Sequence, residues 1–494
     1  MKIIKYSFFS TIVLTLLLLS CSKPGNDFIS VEQPADIHPF YTGTVIPYNI
    51  APLNFMIREN GSQFMVRFAV AEKDSFDVSS RSGKIFIPES KWKKLLGAHR
   101  GEQMDVSIYV KKASGWERYL PLQFTIANEP IDPWLAYRLI EPGYETWNRM
   151  GIYQRCLENF DEKPILSNNL TDGSCMNCHS FCKNDPKRML FHVRKQHAGT
   201  IFVKDGQVSK VNTKVPGMIS AGVYPRWHPD GRYVAFSVNT TSQKFHTTDK
   251  NKIEVYDEAS DLMLFDTQNN TGSTNELICS KAYFETFPEW SPDGKYLYFC
   301  SAKARQMPQE YDSLRYDLMR IAFDASTGSF GNKIDTVLSL SDPSQTLPTG
   351  EGVAGTGKSI TLARISPDGK YVVFCMTDYG TFPVWHHESD LYIMNLETKE
   401  IRNMSAINSD QSESYHSWSS NGRWLVFGSH RMDGSFNRPY ICYFDTEGNA
   451  HPPFVLPQKD PLFYDFFIKS FNVPEFITGE VTISPQDFAK VVKK

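Results

Sequence analysis

One short pattern occurs four times in this chain and constrains its fold more than any other feature. Each copy has an apolar residue, a short stretch ending in an aromatic or aliphatic residue, a Pro-Asp-Gly or Ser-Asn-Gly turn, and a strand. In such a turn proline fixes φ, aspartate or asparagine bonds the nearby backbone, and glycine accepts a positive φ. The strand that follows presents one face to a core. The copies are residues 224–237, 287–300, 362–375 and 415–428.

The spacing of the copies indicates what one unit contains. The turn glycines Gly231, Gly294, Gly369 and Gly422 lie between 53 and 75 residues apart, whereas a four-stranded propeller blade takes about 40–50 residues. Each copy is followed by a further strand pattern and polar, turn-rich sequence, and loop insertions account for the excess. The sequence therefore predicts four-stranded units with long connections.

These segments resemble the TolB-like β-propeller repeats, which are related to WD repeats, over residues 172–456. A fifth, degenerate unit precedes them, because Cys178-His-Ser-Phe181 matches Tyr415-His-Ser-Trp418. The resemblance implies six blades, and we expect residues 480–483 to help complete the sixth. The propeller is therefore predicted to occupy residues 174–494, including a C-terminal closing segment. Propellers serve in binding, scaffolding and catalysis, so the fold alone does not predict the function.

The region before the propeller predicts a smaller all-β unit. Five alternating segments with Gly-containing or charged turns favour a β-sandwich over residues 36–127, with a short helix at 91–96. The segments are residues 54–58, 63–69, 84–87, 104–110 and 122–126. Residues 128–173 show little strand periodicity and are predicted to be an ordered linker that docks on the propeller. The fold class predicted for the whole chain is all-β, a sandwich followed by a propeller.

The N-terminus indicates export. Lys2 and Lys5 precede a short apolar run, and residues 18–21, Leu-Leu-Ser-Cys, resemble the lipobox of bacterial lipoproteins. The apolar run indicates a signal peptide at 1–20, and the resemblance implies cleavage before Cys21 and lipidation of its sulfur. The polar, Gly- and Pro-containing sequence that follows predicts a tether at 21–35. The protein is then expected in the cell envelope, anchored in the outer membrane and facing the periplasm or the exterior. A plain secretory signal with a chance cysteine is the alternative.

The sequence argues against nucleic acid and nucleotides as binding partners. The chain has 52 Lys and Arg against 55 Asp and Glu, a net charge of -3, which argues against nucleic acid as a partner. Residues 352–359 satisfy the spacing of a phosphate-binding loop. They precede a predicted inner strand of a blade rather than linking a strand to a helix, so we expect no nucleotide site.

The segment Cys175-Met-Asn-Cys178-His179 has the spacing of a c-type haem attachment site. Two thiols would bind the haem vinyl groups and the imidazole would bind the iron. The candidates for a sixth ligand are Met189, His192 and His197. A covalent haem c is therefore the cofactor that this motif predicts.

Cys182 leaves two other interpretations of the same cluster open. One is a structural disulfide, with Cys156 as the candidate partner of Cys182. The other is a metal site made by Cys175, Cys178, Cys182 and His179, because zinc binds such thiolate and imidazole sets tetrahedrally. The remaining cysteines are predicted to be small packing residues of the blades. They are Cys279, Cys300, Cys375 and Cys442.

Several side chains on predicted blade connections are candidates for a ligand or metal site at a mouth of the channel, because connections surround the two mouths of a propeller. Their alternative role is surface or packing histidine. These candidates are His246, His386, His387, Glu388 and His416, the last at the position equivalent to His179. The aromatic run at 461–471 predicts either a buried closing element or a partner-binding stretch.

Three classes of function follow. The favoured prediction is a lipid-anchored recognition or scaffold module whose propeller binds an envelope protein or glycan. The second is a monohaem electron-transfer protein that uses the Cys175–His179 motif. The third is an enzyme with its site at the channel mouth; no Gly-x-Ser-x-Gly elbow is present, which disfavours a serine peptidase.

Overall fold

The computed structural model describes residue 24 and residues 27–71, 74–141, 149–342 and 357–494. The predicted signal peptide, Cys21 and most of the phosphate-loop look-alike lie outside these residues. In the described part strands far outnumber helices, which confirms the all-β prediction. In that part, no helix has the length and hydropathy needed to cross a membrane.

The N-terminal region forms two sheets and one helix. Its elements are β1 (Ile29–Pro34), β2 (Ile37–His38), β3 (Val45–Pro47), β4 (Phe55–Ile57), β5 (Gln63–Val70), β6 (Asp74–Ser80), β7 (Lys84–Ile85), α1 (Glu89–Ala98), β8 (Gln103–Lys112), β9 (Gly115–Leu120) and β10 (Leu122–Ala127). Strands β2, β4 and β7 make a three-stranded sheet, and the other seven make a mixed sheet. Trp92 of α1 is buried against Phe68 and donates to the carbonyl of Ile50. The five strands and the helix predicted here are all present.

The predicted tether is partly wrong. Residues 29–34 form β1, which pairs in parallel with β9 at an edge of the seven-stranded sheet. The side chains of β1 are mostly exposed, so the strand is held by backbone hydrogen bonds and carries no apolar periodicity. Alternation of apolar and polar residues therefore does not predict this strand.

The rest of the described chain forms six four-stranded antiparallel sheets. Sheet A contains β11 (Trp134–Ile140), β12 (Met150–Cys156), β13 (Glu162–Ser167) and the C-terminal β34 (Ser470–Ile477). Sheet B contains β14 (Met176–Phe181), β15 (Arg188–Val193), β16 (Gly199–Lys204) and β17 (Gln207–Val211). Sheet C contains β18 (Val223–Trp227), β19 (Tyr233–Phe245), β20 (Ile253–Asp266) and β21 (Thr271–Ser273).

Sheets D to F follow in chain order. Sheet D contains β22 (Tyr283–Trp290), β23 (Tyr296–Lys303), β24 (Asp317–Asp324) and β25 (Ser329–Leu338). Sheet E contains β26 (Ser359–Ile365), β27 (Tyr371–Thr377), β28 (Asp390–Asn395) and β29 (Ile401–Asn403). Sheet F contains β30 (Glu413–Trp418), β31 (Trp424–Ser429), β32 (Arg438–Tyr443) and β33 (Phe454–Val455). Helices α2 (Phe463–Phe466) and α3 (Pro485–Val492) lie before and after β34.

One edge strand of each sheet contacts the corresponding edge strand of the next sheet, and the series closes on itself. β14, β18, β22, β26, β30 and β34 contact one another in that order, and β34 contacts β14 again. A closed ring of radially arranged four-stranded sheets is a β-propeller. Because β34 pairs with β11, one sheet contains strands from both ends of the propeller, which fastens the ring.

Two predictions about this closure are wrong. The predicted linker, 128–173, instead supplies three strands of sheet A, and the closing strand is β34 rather than residues 480–483. β11 is largely buried on both faces, because it lies between neighbouring strands and sheets, so its sequence does not alternate. Residues 480–483 lie beside sheet A, where the backbone of Val481 bonds the side chain of Gln154.

The repeated turns have the geometry that their sequence predicts. All four turn glycines have φ between +67° and +74°. In each turn, the residue before the glycine accepts a hydrogen bond through its side-chain oxygen. The donor is the backbone N–H of the residue that follows the glycine. The acceptors are Asp230, Asp293, Asp368 and Asn421. The degenerate unit predicted at the Cys178 segment is sheet B.

Candidate binding site in the propeller channel

Every innermost strand of the propeller carries a bulge at the same position. The pairing register shifts there, and the bulged residue has φ between +48° and +55°. A bulge redirects a side chain and bends the strand. The bulged residues are Cys178, Tyr224, Phe287, Leu362, Tyr415 and Val473. Because the inner strands surround the channel, these six side chains converge on its axis.

They line a chamber of about 100 Å³ inside the channel. Three arginines also line it, Arg138 from β11, Arg226 from β18 and Arg364 from β26, and none of the described residues that line it is a carboxylate. The Nε atoms of Arg138 and Arg364 are buried without a hydrogen-bond acceptor. Phe382, from the connection between β27 and β28, packs on Tyr224 and Phe287 at one side of the chamber.

His179 also lines the chamber and is 3% exposed. Neither of its ring nitrogens has a well-aligned hydrogen-bond partner, and the backbone of Val473 lies beside the ring. Burial and the charges of Arg138 and Arg226 lower the pKa of His179 to about 3, so the imidazole is neutral at physiological pH. A buried polar group without a partner usually marks a bound water, ion or ligand.

The mouth of the channel on the side of the Pro-Asp-Gly turns is charged. It is a pocket of about 360 Å³ that contains one polar residue from each inner strand, two places after the bulge. In chain order these residues are Ser180, Arg226, Glu289, Arg364, Ser417 and Glu475. The tryptophans and turn prolines of the repeats form its wall.

Ion pairs tie part of this ring together. One carboxylate oxygen of Glu289 lies 3.0 Å from Nε of Arg226 and 3.3 Å from Nη1 of Arg364. Burial raises the pKa of Glu289 and raises that of Glu475 to about 7, although the arginines oppose both shifts. Burial and Arg226 lower the pKa of Arg364 to about 10. One oxygen of Glu475 accepts from the N–H of Phe181, and the other has no partner.

Sequence reasoning missed all the charged residues of the chamber and ring. For the ring a signal existed: aligned on the bulge, the third residue of the repeat is arginine or glutamate in four of six copies. The sixth copy, Val473-Pro-Glu-Phe476, matches Phe287-Pro-Glu-Trp290 and marks the true closing strand. Arg138 lies on β11, next to the innermost strand of sheet A, and therefore does not occupy the repeated position.

The Cys175–His179 motif lies at the edge of the chamber, and its two cysteines lie in different environments. Cys178 is half-exposed and lines the chamber, whereas Cys175 is buried in an apolar core with Met150 and Met176. A cofactor pocket usually has about 300–1,000 Å³, and the chamber has about 100 Å³. This arrangement does not fit a haem bound through both thiols and His179.

The described residues give no support to the disulfide and metal interpretations of the cluster. Cys156 and Cys182 are both free thiols, and Cys182 packs in a different core, where its sulfur lies 3.8 Å from the carbonyl oxygen of His228. Within the described ranges, no three His, Cys, Asp or Glu side chains come close enough to hold a metal ion. Cys178 lies at the bulge of β14, whereas Cys175 and Cys182 flank this strand and pack in two different cores, so the three thiols do not converge.

The three candidates for a distal haem ligand lie elsewhere. Met189 is buried in the same core as Cys175. His192 is buried, its Nδ1 lies 3.2 Å from Oγ1 of Thr200, and burial lowers its pKa to about 4. His197 pairs with Asp172 at 2.9 Å. None of the three lines the chamber.

Of the residues predicted for the channel mouth, three lie in one cluster, and His246 and His416 lie apart from it. His386 is 1% exposed, with Nε2 3.3 Å from Glu254 and Nδ1 3.1 Å from Glu388. His387 lies 3.2 Å from Glu388 and contacts Asn251. We call His386, His387, Glu388, Glu254 and Asn251 the latch, because it fastens the connection before β28 to the long β19–β20 hairpin.

The charges of the latch are mutually stabilising. Burial disfavours a charge on His386, but the hydrogen bonds and charges of Glu254 and Glu388 outweigh it and raise its pKa to about 9. Burial acts against the charge of Glu388 as well, but His386 lowers its pKa to about 2. The second oxygen of Glu254 accepts from the hydroxyl of Tyr379 at 2.9 Å. His386 and Glu388 were candidates from the sequence, whereas Glu254 was missed.

The other two candidates do not join the latch. His246 is half-buried near the tip of the β19–β20 hairpin, where its N–H donates to the carbonyl of Lys252. His416 is buried on β30, and its Nε2 lies 2.8 Å from the carbonyl oxygen of Val373. Burial and Arg364 lower the pKa of His416 to about 3. The packing interpretation therefore describes His416.

Comparison with known proteins identifies no family. No protein-family profile matches the chain, and no curated protein matches it significantly. Dipeptidyl peptidase 4 of Porphyromonas gingivalis has 11% identity and a TM-score of 0.31 over 64% of this chain and 46% of that one. Prolyl oligopeptidase B of Galerina marginata has 11% identity and a TM-score of 0.34 over 82% and 54%. An endo-arabinase of Bacteroides thetaiotaomicron has 12% identity and a TM-score of 0.26 over 55% and 89%. The chain thus spans about half the length of the first two proteins.

Proposed function

We propose that this protein is a lipid-anchored recognition module of the cell envelope whose propeller binds an envelope protein or a glycan at the charged channel mouth. The six sheets are taken as six TolB-like blades, and residues 36–127 as a small sandwich beside them. The lipid on Cys21 holds the module at the outer membrane. Metabolic labelling with a radioactive fatty acid tests the lipid attachment. The label should enter the native protein and not the Cys21→Ser variant.

The charged mouth is the observation that supports binding there. Its pocket of about 360 Å³ lies within the usual range for binding sites. The ring of inner-strand residues in it combines two arginines, two glutamates and two serines, aromatic side chains form the walls, and one oxygen of Glu475 has no hydrogen-bond partner among the described residues. Aromatic surfaces with a few convergent polar groups are typical of recognition sites.

Filling the mouth tests this proposal. Ser417 lies in the ring, so Ser417→Arg should occupy the pocket and remove binding while the propeller stays folded. The matched control is Ser329→Arg on the exposed outermost strand β25. Cells carrying each variant are treated with a chemical crosslinker, and the adducts are compared by electrophoresis. We expect adducts with the native protein and Ser329→Arg and none with Ser417→Arg; equal adducts in all three would contradict the proposal.

Covalent haem is the competing hypothesis that the spacing of the Cys175–His179 motif indicates, although the positions of the two thiols do not fit it. Expression with a c-type maturation system, followed by visible spectra and haem staining after denaturing electrophoresis, distinguishes the two. The proposed recognition module needs no haem, so we expect no Soret band and no stained chain. A stained chain that disappears in Cys175→Ser and Cys178→Ser would establish the haem protein instead.

An enzyme at the channel mouth is the third hypothesis, supported by the pKa of Glu475 near 7 beside the ion-paired Glu289. A carboxyl group with a pKa near the working pH is suited to general acid or base catalysis. Hydrolysis of a panel of glycoside and peptide substrates would support it only if Glu475→Gln removes the activity. No turnover by the native protein would exclude those substrate classes.

A further inference from the structure

We propose that the chamber inside the channel is a binding site for one small oxyanion, such as phosphate, sulfate or acetate. This site shares Arg226 and Arg364 with the mouth but includes Arg138, which the mouth does not, and it needs no protein or glycan partner. It rests on the charge, the unpartnered donors and the size of the chamber.

The charge of the chamber favours an anion. Arg138, Arg226 and Arg364 all line it, and none of the lining residues that the structure describes is an acid. Glu289 neutralises part of this charge from the mouth side, through Arg226 and Arg364. No ion pair joins Arg138 to an acid of the described ranges, so a positive charge is left next to the cavity. Glu289 compensates Arg226 and Arg364 only in part, and an anion in the cavity would lower the mutual repulsion of all three guanidinium groups.

The hydrogen-bonding groups of the chamber indicate the same ligand. The Nε–H groups of Arg138 and Arg364 and the neutral imidazole of His179 are buried without well-aligned partners. Buried donors of this kind are rare in native proteins because each costs free energy when it is left unpaired. An oxyanion offers several acceptor oxygens at once, and arginine forks match the geometry of such anions.

The size of the chamber limits the ligand. A volume of about 100 Å³ holds a few waters or one small polyatomic ion. Tyr224, Phe287 and Tyr415 form apolar walls, and Phe382 covers two of these rings. A sugar or a peptide segment is too large for this space, whereas phosphate, sulfate and acetate are small enough.

Titration calorimetry on the full-length protein tests the proposal. Phosphate, sulfate and acetate are added separately at pH 7.5, with chloride making up a constant ionic strength. At least one should bind saturably with one site per chain. Arg138→Met should weaken that binding about tenfold or more, because a charge-assisted contact is lost. The control Arg320→Met, on the outer strand β24 and paired with Asp335, should leave it unchanged.

Thiol alkylation locates the bound anion. Cys178 lines the chamber, while Cys279 is also half-buried but lies outside the chamber and serves as an internal control. With saturating anion, alkylation of Cys178 should slow severalfold and that of Cys279 should not change. Should Arg138→Met fail to fold, Arg138→Lys keeps the charge and should weaken binding less severely.

Three outcomes would overturn the proposal: no saturable binding of any of the three anions, equal weakening by Arg138→Met and Arg320→Met, or equal protection of both cysteines. Loss of partner adducts at the mouth would not bear on these measurements. The two proposals therefore fail separately.

Discussion

Two buried polar clusters of the same propeller are built on opposite principles. In the latch, His386 lies between Glu254 and Glu388, and the charges compensate one another. In the chamber, His179 lies among arginines, and several polar atoms have no partner within the described protein. Both clusters are buried, so their difference lies in how the charges are satisfied rather than in exposure to solvent.

This contrast separates a structural role from a binding role. A buried ion pair that is fully hydrogen-bonded holds two segments together, and breaking it leaves an uncompensated charge. A buried cluster of like charges and unpaired donors lowers stability unless something outside the chain completes it. We therefore assign the latch to fold stability, whereas the contrast supports the binding roles proposed for the chamber and its mouth.

Removing one partner of the latch should have the largest effect on stability. Glu254→Gln leaves the buried His386 with one carboxylate and should lower the free energy of unfolding by about 3 kcal/mol. Glu258→Gln, on the exposed side of the same strand, is the control and should change it by less than about 0.5 kcal/mol. Urea unfolding at pH 6 measures both. Equal effects of the two variants would show that the latch is not a structural clamp.

The two equivalent histidines should respond differently. His416→Leu leaves the buried carbonyl of Val373 without its partner and should lower the free energy of unfolding by about 2 kcal/mol. His179→Leu breaks no well-aligned hydrogen bond and should cost less than about 1 kcal/mol. The comparison uses urea unfolding of both variants in chloride buffer without oxyanions. A larger loss for His179→Leu would mean that the chamber is part of the structural framework.

The latch should also set a pH dependence, with a smaller effect of about 1 kcal/mol per pH unit for each shifted group. The pKa of His386 is raised to about 9, so its stabilisation is fully present below pH 6.5 and is lost as the pH rises through 9. The pKa of Glu388 is lowered to about 2, so its contribution is present above pH 4.5 and is lost as the pH falls through 2. The difference between the native protein and Glu254→Gln should therefore be largest between pH 4.5 and 6.5. A difference that grows from pH 7 to pH 10 would contradict this assignment.

The repeat explains why the fold was largely predictable. Pro-Asp-Gly turns and the strands after them are local signals, and they located sheets C to F and the degenerate sheet B. The closure was missed because β11 is buried on both faces and does not alternate. The matching segment Val473-Pro-Glu-Phe476 lacks a turn after it, although it repeats the inner-strand pattern.

The site was harder to predict because it depends on contacts between distant segments. The spacing of Cys175, Cys178 and His179 indicates a haem motif, but the bulge at Cys178 separates the two thiols between a core and the channel. Glu254 and His386 are 132 residues apart, and nothing local in either segment indicates their pairing. The charged ring was accessible from the sequence only by comparing the third residue of each repeat.

Site-specific photo-crosslinking in intact cells tests whether the channel mouth contacts a partner. A photoreactive residue replaces Lys183, which is exposed at the mouth, or Lys333 on the outermost strand β25 as the control. We expect a defined adduct from position 183 and none from position 333. Adducts from position 333 alone, or none from either position, would contradict the claim that the mouth is the binding surface.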